Sequence, residues 1–210
     1  STGLGRCYAE AALERGDRVV AASIDPENMA KLTQDYGSRV LVQGLDVTDR
    51  AQVQQRFTEA VEHFGQIDIY VSNAGYMQCG AVEEMSEQEA RAIFDCNFFG
   101  TLFVVQEAAR HMRQWRSGVI VTTASLAALD VIGGEGLYGA TKHAVLGMSQ
   151  ALRMETEPFG VKVMCLCPGP IWTGMAKRAK LCKQHIQDYD VVLQGERERW
   201  GNSDNHDSDV

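Results

Sequence analysis

Short apolar runs alternate with amphipathic helical segments along most of the chain, and this alternation limits the fold more than any other feature. The runs are rich in valine and isoleucine and apolar on both sides, which is typical of buried parallel strands. They comprise Val19–Ser23, Arg39–Leu45, Ile67–Ser72, Gly118–Thr123 and Val161–Leu166. Around them, apolar residues recur at helical spacing in Leu4–Arg15, Glu27–Tyr36, Arg50–Phe64, Glu87–Arg113 and Leu137–Glu157. Because alternating strands and helices favour parallel pairing through right-handed crossovers, the pattern predicts an α/β fold: a doubly wound parallel sheet with helices on both faces.

Several predicted helix ends carry residues that suit them. Asp49 precedes the third helix and Ser86 the fourth, and both side chains can accept a hydrogen bond from a first-turn amide. Glycines stand where four helices are expected to end, at Gly16, Gly37, Gly65 and Gly160. These signals support the predicted boundaries.

Charge and cysteine content exclude some classes of partner. The 210 residues carry a net charge of −8, which disfavours binding to nucleic acid or to an anionic membrane surface. No apolar run is long enough to span a bilayer. The six cysteines have no CxxC spacing and are expected to be reduced and mostly buried, which favours a cytoplasmic location.

The chain is expected to form one domain. Residues 1–194 contain no internal repeat and no linker rich in proline or glycine. From Gly195 to Val210 the composition becomes polar and charged, so residues 195–210 are predicted to form a disordered tail.

A tyrosine, a lysine and a serine have a spacing that suits acid–base chemistry. Lys142 follows Tyr138 by four residues, so on a helix its ammonium lies one turn away on the same face. A nearby positive charge favours phenolate, and we expect it to lower the pKa of Tyr138 from about 10 towards the working range. Ser125 stands thirteen positions before Tyr138, where its hydroxyl can donate a hydrogen bond to the same substrate oxygen. A tyrosine and a lysine at this spacing are usually a surface pair, and the position of the serine favours the chemical interpretation.

The start of the chain suits a nucleotide diphosphate. Thr2, Gly3, Leu4 and Gly5 run directly into a helix. Glycine lets a backbone pass close to a diphosphate, while the amides at a helix N-terminus supply donors and positive potential. A lone pair of glycines also suits an ordinary strand-to-helix turn.

Two further motifs follow predicted strands. Asp46 and Val47 come after the second strand, where a carboxylate can accept from an adenine amino group and an apolar neighbour can pack on the ring. Asn73, Ala74 and Gly75 follow the third strand, where small residues let a ribose or nicotinamide lie against the backbone. Each motif alone is compatible with a turn. Ligands of open α/β sheets bind outside the carboxyl ends of the strands, and all these motifs fall there.

With these motifs in this order, the chain resembles the short-chain dehydrogenase/reductase family from Ser1 to about Met175. The resemblance rests on Gly3–Gly5, Asp46–Val47, Asn73–Gly75, Asn97, Ser125, Tyr138 with Lys142, and Pro168–Thr173. It implies a Rossmann-type domain that binds NAD or NADP, with Tyr138 as general acid/base and Lys142 lowering its pKa and holding the nicotinamide ribose.

The resemblance also implies roles for the remaining motif residues. Ser125 is expected to polarise the substrate oxygen, and Asn97 to hold a water of a proton relay. The alternative for Asn97 is a hydrogen bond to a neighbouring carbonyl inside its helix. Pro168, Gly169, Ile171 and Thr173 are expected around the nicotinamide.

The chain departs from the family pattern in three places. The family's first strand and first motif glycine precede the position of Ser1 and are expected to be missing, and its last strand is not recognisable in Ala176–Val210. The second strand ends in Ser23 and Ile24, where the family often has an acid for the adenosine ribose or an arginine for a 2′-phosphate. Ser23 remains an expected cofactor contact, and Asp25 is expected to cap the next helix.

The resemblance therefore implies an oxidoreductase that interconverts a secondary alcohol and a ketone with NAD(P). The small-molecule substrate is expected to be apolar, because Leu126–Leu137 and Ile171–Leu181 are largely apolar. A homodimer or homotetramer is expected through the two long helices. Two alternatives stay open: a non-catalytic dinucleotide-binding regulator on the same fold, and an inactive gene fragment of such an enzyme.

Overall fold

The protein's structure, a computed structural model, describes residues 2–169 and 179–201. Its strands are β1 (Val19–Ser23), β2 (Val40–Gly44), β3 (Ile69–Ser72), β4 (Gln78–Cys79), β5 (Gly118–Thr123), β6 (Val161–Leu166) and β7 (Lys180–Leu181). Its α-helices are α1 (Gly3–Glu14), α2 (Ala30–Tyr36), α3 (Arg50–Phe64), α4 (Glu87–Phe94), α5 (Thr101–Trp115), α6 (Gly136–Thr156) and α7 (Asp190–Gly201). The five strands predicted from the sequence are therefore confirmed, with small changes at their ends.

All the strand pairs are parallel, as the alternation of strands and helices predicts. β1 pairs with β2, and β5 lies between β3 and β6. The short strands β4 and β7 form a third sheet, also parallel. Helices connect the successive strands of the main sheets, so the α/β class is confirmed.

One edge of β1 and one edge of β3 have no strand partner in the described part of the chain. On β3 the side chains of Ile69 and Val71 are 55% and 37% exposed. This part of the sheet therefore shows apolar surface to solvent.

The caps predicted at Asp49 and Ser86 form as expected. Asp49 accepts hydrogen bonds from the amides of Ala51 and Gln52 at the start of α3. Ser86 forms a capping box with Glu89 at the start of α4. The four predicted C-terminal glycines all have positive φ angles, which glycine adopts without steric cost.

The predicted helix Glu87–Arg113 is interrupted by a π-helical turn. Residues Asp95–Gly100 have π geometry between α4 and α5. Such a turn places one extra residue in the helix and rotates the side chains that follow, and it is frequent at functional sites. Gly100 lets the turn approach the loop after β2, because a Cβ there would lie 2.7 Å from Val47 Cγ2. Asn97 lies inside this turn and is fully buried.

The core is built from separate hydrophobic clusters in which helices pack against the sheets. One cluster packs α1 and α2 against β1 and β2 and contains Leu13, Ala21, Met29, Leu32 and Val40. Another packs α5 against the larger sheet and contains Val105, Ala108, Met112, Ile120 and Val161. These clusters hold the strands whose carboxyl ends carry the predicted motifs.

The predicted tail begins inside a helix, so the boundary at residue 194 is wrong for residues 195–201. Helix α7 continues to Gly201, and Arg197 forms an ion pair with the buried carboxylate of Glu84. A charged composition predicts disorder when no partner is at hand, but here a buried acid provides one. Residues 202–210 lie outside the described residues.

The six cysteines are all free thiols, as expected. Cys79 is buried and Cys7 is exposed, so the expectation of burial holds for some of them and not for others. In residues 2–169 and 179–201, no helix has the length and apolar character needed to cross a membrane.

We predict that His111 makes the stability of the fold depend on pH. Its Nε2 accepts a hydrogen bond from the backbone amide of Ile67 at 3.3 Å, which requires an unprotonated nitrogen. Burial lowers the pKa of His111, and Asp68 acts in the opposite direction. The unfolded state, with a histidine pKa of about 6.5, then binds more protons, so this stability is present above that value and is lost as the pH falls further.

The test is urea unfolding at pH 7 and pH 5 of the parent and of His111→Gln, which keeps an acceptor that does not titrate. The parent should lose more stability on acidification than the variant. An equal loss in both would contradict the prediction.

Candidate active site

The predicted site residues follow strands that end at the same edge of the molecule. Asn73–Gly75 follow β3, Ser125 follows β5, and Pro168 and Gly169 follow β6. Because β3, β5 and β6 are parallel neighbours, their carboxyl ends meet at one edge. Of the predicted nicotinamide contacts, Ile171 and Thr173 lie outside the described residues.

Tyr138 and Lys142 lie one turn apart on α6, and both are 4% exposed. The Lys142 ammonium is 5.7 Å from the centre of the Tyr138 ring. It donates a hydrogen bond of 3.0 Å to the backbone oxygen of Thr123, the last residue of β5. This bond ties the helix that carries the tyrosine to the strand that precedes Ser125.

The pKa of Tyr138 departs from the expectation. Burial raises it, and hydrogen bonding to Ser125 lowers it to a smaller extent. Burial also lowers the pKa of Lys142 to about 8, although the nearby thiols of Cys96, Cys165 and Cys167 act to raise it. The expected fall in the tyrosine pKa is therefore wrong for this structure, because withdrawing the phenol from water disfavours phenolate more than its neighbours favour it.

Ser125 is oriented by the turn that follows β5. It is the N-cap of the short 3₁₀ turn Leu126–Ala128, and its Oγ accepts a hydrogen bond of 3.2 Å from the amide of Ala127. The amide of Leu126 donates to the Pro168 oxygen at 2.8 Å, which links this turn to the end of β6. With its oxygen occupied by Ala127, the hydroxyl can direct its proton towards a ligand.

Asn97 links three elements of the site. Its Nδ2 donates to the Tyr76 oxygen at 2.9 Å and to Thr141 Oγ1 at 3.2 Å, and its Oδ1 accepts from the Tyr76 amide at 3.0 Å. The alternative predicted for Asn97, a bond to a carbonyl of its own helix, is therefore wrong. The π turn points the side chain at other segments.

Thr141 was missed by the sequence argument. Its hydroxyl is fully buried and donates to the Tyr138 backbone oxygen at 2.7 Å, while its Oγ1 accepts from Asn97. The sequence did offer a sign of its role, because Thr141 lies between Tyr138 and Lys142, the two residues predicted to carry the chemistry.

Gly75 brings the segment after β3 against the catalytic candidates. A Cβ at Gly75 would lie 3.0 Å from Asn97 Oδ1 and 3.5 Å from Lys142 Nζ. A larger side chain would push on both polar groups. The Asn73–Gly75 backbone, Asn97 and Lys142 thus form one contact group.

The glycines at the start of α1 meet the same edge. Gly3 has a φ of +59°, and a Cβ at Gly5 would lie 2.9 Å from Asn73 Nδ2. Leu4 lies between them in the first turn of α1. A helix N-terminus whose glycines let a ligand come close to the backbone suits the diphosphate of a dinucleotide.

Asp46 and Val47 are held in place after β2. Asp46 Oδ1 accepts from the amide and the hydroxyl of Thr48, at 2.9 and 2.7 Å. Val47 packs over Gly100 of the π turn. These contacts fix the loop in which the adenine contact is expected.

The end of β1 differs from one expectation. Ser23 Oγ accepts a hydrogen bond of 3.2 Å from the amide of Asp25. Asp25 occupies the N-cap position of the 3₁₀ turn Pro26–Met29, but its side chain makes no capping hydrogen bond there. The expected cap by Asp25 is therefore wrong. The side chain that bonds to the backbone at this turn is that of Ser23.

The wall beside Tyr138 is apolar. Met77, Cys79, Ile93 and Ala127 are buried together with the tyrosine ring. In the segment between Ser125 and Tyr138, large apolar side chains face solvent at Leu129, Val131 and Ile132.

Comparison with known proteins agrees with this arrangement. A family model described as short chain dehydrogenase matches residues 1–183. The chain belongs to the short chain dehydrogenase family. It is 40% identical over 191 residues to oxidoreductase BOA17 of Botryotinia fuckeliana, covering 89% of this chain and 70% of that protein.

Two similar solved structures of this family carry cofactors. One is a short chain dehydrogenase/reductase from Burkholderia phymatum in complex with NAD, with a TM-score of 0.83 and 28% identity, covering 99% of this chain and 77% of that one. The other is ElxO with NADP bound, with a TM-score of 0.78 and 28% identity, covering 93% and 75%. The Rossmann-type fold of this short chain dehydrogenase is thereby confirmed.

We predict that Asn97 stabilises the fold as well as the site. Asn97→Ala would leave the partly buried amide and oxygen of Tyr76 without their partner, at a cost of about 1–3 kcal/mol in the free energy of unfolding. Denaturant unfolding measures this cost. The same substitution at exposed Asn28 should change stability by less than about 0.5 kcal/mol. Equal effects at the two positions would contradict the bridging role of Asn97.

Proposed function

We propose that this short chain dehydrogenase interconverts a secondary alcohol and a ketone with NAD or NADP. The observation that carries the proposal is the grouping of buried Tyr138 and Lys142 with partly buried Ser125, in which Lys142 Nζ lies beside Gly75. A regulator that only binds a dinucleotide needs no phenol next to a buried ammonium. The cluster therefore favours the enzyme over the non-catalytic alternative.

Proton transfer is assigned to Tyr138. The nicotinamide, when bound, supplies the hydride chemistry at the substrate carbon. Burial raises the pKa of Tyr138, so its neutral phenol is ready to donate a proton to a ketone oxygen. In the oxidative direction the Lys142 ammonium, 5.7 Å from the ring, stabilises the phenolate that must accept the alcohol proton.

Ser125 and Asn97 support this step in different ways. The Ser125 hydroxyl, with its oxygen held by the Ala127 amide, donates to the substrate oxygen and polarises it. Asn97 has both amide hydrogens engaged, with the Tyr76 oxygen and Thr141. It can therefore take part in a water relay only as an acceptor, through Oδ1.

The cofactor is assigned to the carboxyl edge of the strands. Gly3–Gly5 and the N-terminus of α1 hold the diphosphate, and Asp46 with Val47 hold the adenine. Asn73–Gly75 and Lys142 lie along the ribose and nicotinamide. The NAD and NADP bound to the two solved relatives support this assignment. We assign Pro168, Gly169, Ile171 and Thr173 to the nicotinamide end and Ser23 to the adenosine end, as the family resemblance implies.

An apolar substrate suits the wall beside Tyr138. Met77, Cys79 and Ala127 pack on the tyrosine, and Leu129 and Ile132 are exposed in the neighbouring segment by 63% and 47%. Apolar surface around a few polar groups is the usual composition of a small-molecule site.

We predict that Tyr138→Phe removes nearly all turnover while cofactor binding is kept. Losing general acid–base catalysis costs about 100- to 10,000-fold in rate. Steady-state kinetics with a panel of ketones measures the rate, and cofactor fluorescence measures binding. Tyr36→Phe, which removes a hydroxyl far from the site, is the control. A Tyr138→Phe enzyme within about tenfold of the parent would rule out the tyrosine as acid/base.

We predict a weak preference between NAD and NADP. A charged hydrogen bond contributes about 1.5–3 kcal/mol, or one to two orders of magnitude in affinity. At the end of β1, Ser23 and Ile24 provide neither an acid nor an arginine. The two dissociation constants, measured at one ionic strength, should therefore differ by less than about a hundredfold. A larger difference would show that another group, such as Asp25 or Arg6, selects the cofactor.

We predict a homodimer through α5 and α6. Their outer faces enclose an open groove of about 540 Å³ with an apolar floor and a charged rim. The apolar lining includes Leu102, Val105, Ala109, Met148, Ala151 and Leu152, and Arg113 and Glu155 lie on the rim. A two-fold contact brings the same surface patch of both copies together, so a positive rim residue of one copy can pair with a negative rim residue of the other.

Sedimentation at micromolar concentration tests this contact. Ala151→Glu places a carboxylate on the apolar floor and should give monomers. Met154→Glu puts the same charge on exposed surface of the same helix and should leave the dimer intact. A monomeric parent, or dimers in both variants, would contradict the assignment of this surface.

A further inference from the structure

A fully buried carboxylate lies outside the cluster described above. Glu84 ends the 3₁₀ turn Val82–Glu84, just after β4, and is 0% exposed. Its Oε2 accepts from the Ala81 amide at 2.8 Å, and its Oε1 accepts from the Ile186 amide at 2.7 Å. Arg197 Nη2 donates to the same Oε1 at 2.5 Å. Although burial raises it, these hydrogen bonds leave the pKa of Glu84 below its ordinary value.

Two of these three donors belong to residues 179–201, which we call the C-terminal arm. The arm also pairs β7 with β4, and its Lys183 amide and Tyr189 hydroxyl bond to Glu89 and Glu83. The bonds of Lys183 and Tyr189 are exposed to solvent, where such contacts contribute little. The bond from Arg197 to Glu84 is the buried ion pair of the arm. A buried carboxylate that loses its partner is costly, so Glu84 requires the arm to stay in place.

The arm contacts the two segments that wall the Tyr138 site. Along β4, the arm amides of Lys180 and Cys182 donate to the oxygens of Met77 and Cys79, each at 2.9 Å. Met77 and Cys79 belong to the buried apolar cluster that contains Tyr138. The arm is thus one layer away from the reacting phenol.

The second contact is with the segment between Ser125 and Tyr138. Leu193 of α7 is 2% exposed, and a Cβ at Gly134 would lie 3.1 Å from its Cδ2. The Gly80 amide donates to the Gly134 oxygen at 2.9 Å, which joins this segment to the loop that ends in Glu84. A Cβ at Gly80 would meet Cys182, so the arm is seated closely here.

We propose that Glu84 is a positioning residue that holds the C-terminal arm against the Tyr138 wall and thereby sets how tightly the alcohol or ketone binds. The proposal rests on the proposed function, since it concerns the substrate of that same site. Glu84 does not touch the phenol, so its loss acts on substrate binding through Met77, Cys79 and the 126–135 segment. Within the described part of the chain, the arm bonds to none of the segments Gly3–Gly5, Asp46–Val47 and Asn73–Gly75 that are assigned to the cofactor, so cofactor affinity is expected to be kept.

Position 84 requires a group that accepts on both sides. Ala81 donates to one oxygen, while Ile186 and Arg197 donate to the other. Glutamine presents an NH₂ to one of these sets of donors, so Glu84→Gln leaves either Ala81 or the arm without an acceptor. An exchange of the two charges cannot restore the contact either, because an arginine at position 84 would face two backbone amides.

The experiment compares the parent with Glu84→Gln, Arg197→Gln and the double variant. Glu87→Gln is the matched control, since Glu87 is exposed and pairs with Arg91 within α4. The readouts are KM and kcat for a secondary alcohol or ketone, the cofactor dissociation constant, and the rate of trypsin cleavage after the exposed Lys180 and Lys183.

We expect Glu84→Gln and Arg197→Gln to raise KM by about tenfold or more while kcat changes by less than about threefold and cofactor affinity is kept. Cleavage of the arm should speed up by about tenfold or more, and the double variant should be no worse than Glu84→Gln alone, because both substitutions remove the ion pair between Arg197 and Glu84. Glu87→Gln should match the parent. If Glu84→Gln does not fold, Arg197→Gln decides the matter, because the Arg197 side chain is 20% exposed.

Unchanged KM and unchanged cleavage in Arg197→Gln would overturn the proposal. A fall in kcat and in cofactor affinity as large as the rise in KM would also overturn it, because that would show general damage to the fold. If the parent has no turnover with any alcohol or ketone, the proposed function fails on its own. Arm cleavage still tests the anchor in that case: faster cleavage in both variants supports it, and parent-like cleavage overturns it.

Discussion

The burial of one ammonium group organises the site. Lys142 is almost completely withdrawn from water, and its bond to the Thr123 oxygen joins α6 to the end of β5. Burying a charge without a partner is costly, so the position of Lys142 depends on the strand register that presents this carbonyl. The same ammonium lies close to Gly75, where a Cβ would come within 3.5 Å of Nζ and 3.0 Å of Asn97 Oδ1. The segment after β3, the end of β5 and helix α6 are thereby fixed relative to one another.

The π turn between α4 and α5 provides the second constraint. It directs Asn97 away from its own helix and towards Tyr76 and Thr141. Both amide hydrogens of Asn97 are used in this way, so the residue acts first as a clamp that aligns α6 with the segment after β3. The tyrosine itself sits in an apolar wall that raises its pKa, which suits a proton donor. The positive charge needed for the reverse step lies one helical turn away.

Much of this could be predicted from the sequence because local patterns determine it. Hydrophobic periodicity gave the strands and helices, and Asp49, Ser86 and the C-terminal glycines marked helix ends. The site residues could be grouped because parallel strands end at the same edge. The roles of Tyr138, Lys142, Ser125 and Asn97 stay proposals until activity is measured.

What the sequence did not predict depends on contacts between distant segments. The π turn has no pattern of its own in Glu87–Arg113, and the partners of Asn97 lie 21 and 44 residues away. The pKa of Tyr138 was expected to fall because the lysine is visible in the sequence, whereas the burial that outweighs it is not. The helix over residues 195–201 could not be predicted from their polar composition, because Glu84, the acid that pairs with Arg197, lies 113 positions earlier.

Transfer of deuterium from substrate to cofactor tests the central claim most directly. A panel of apolar secondary alcohols, each carrying deuterium on the carbinol carbon, is incubated with the enzyme and NAD or NADP, and the reduced cofactor is analysed by mass spectrometry. The account predicts that deuterium appears on the nicotinamide and that the alcohol becomes a ketone. Ketone formed without deuterium in the cofactor, or bound cofactor that is never reduced by any member of the panel, would contradict it.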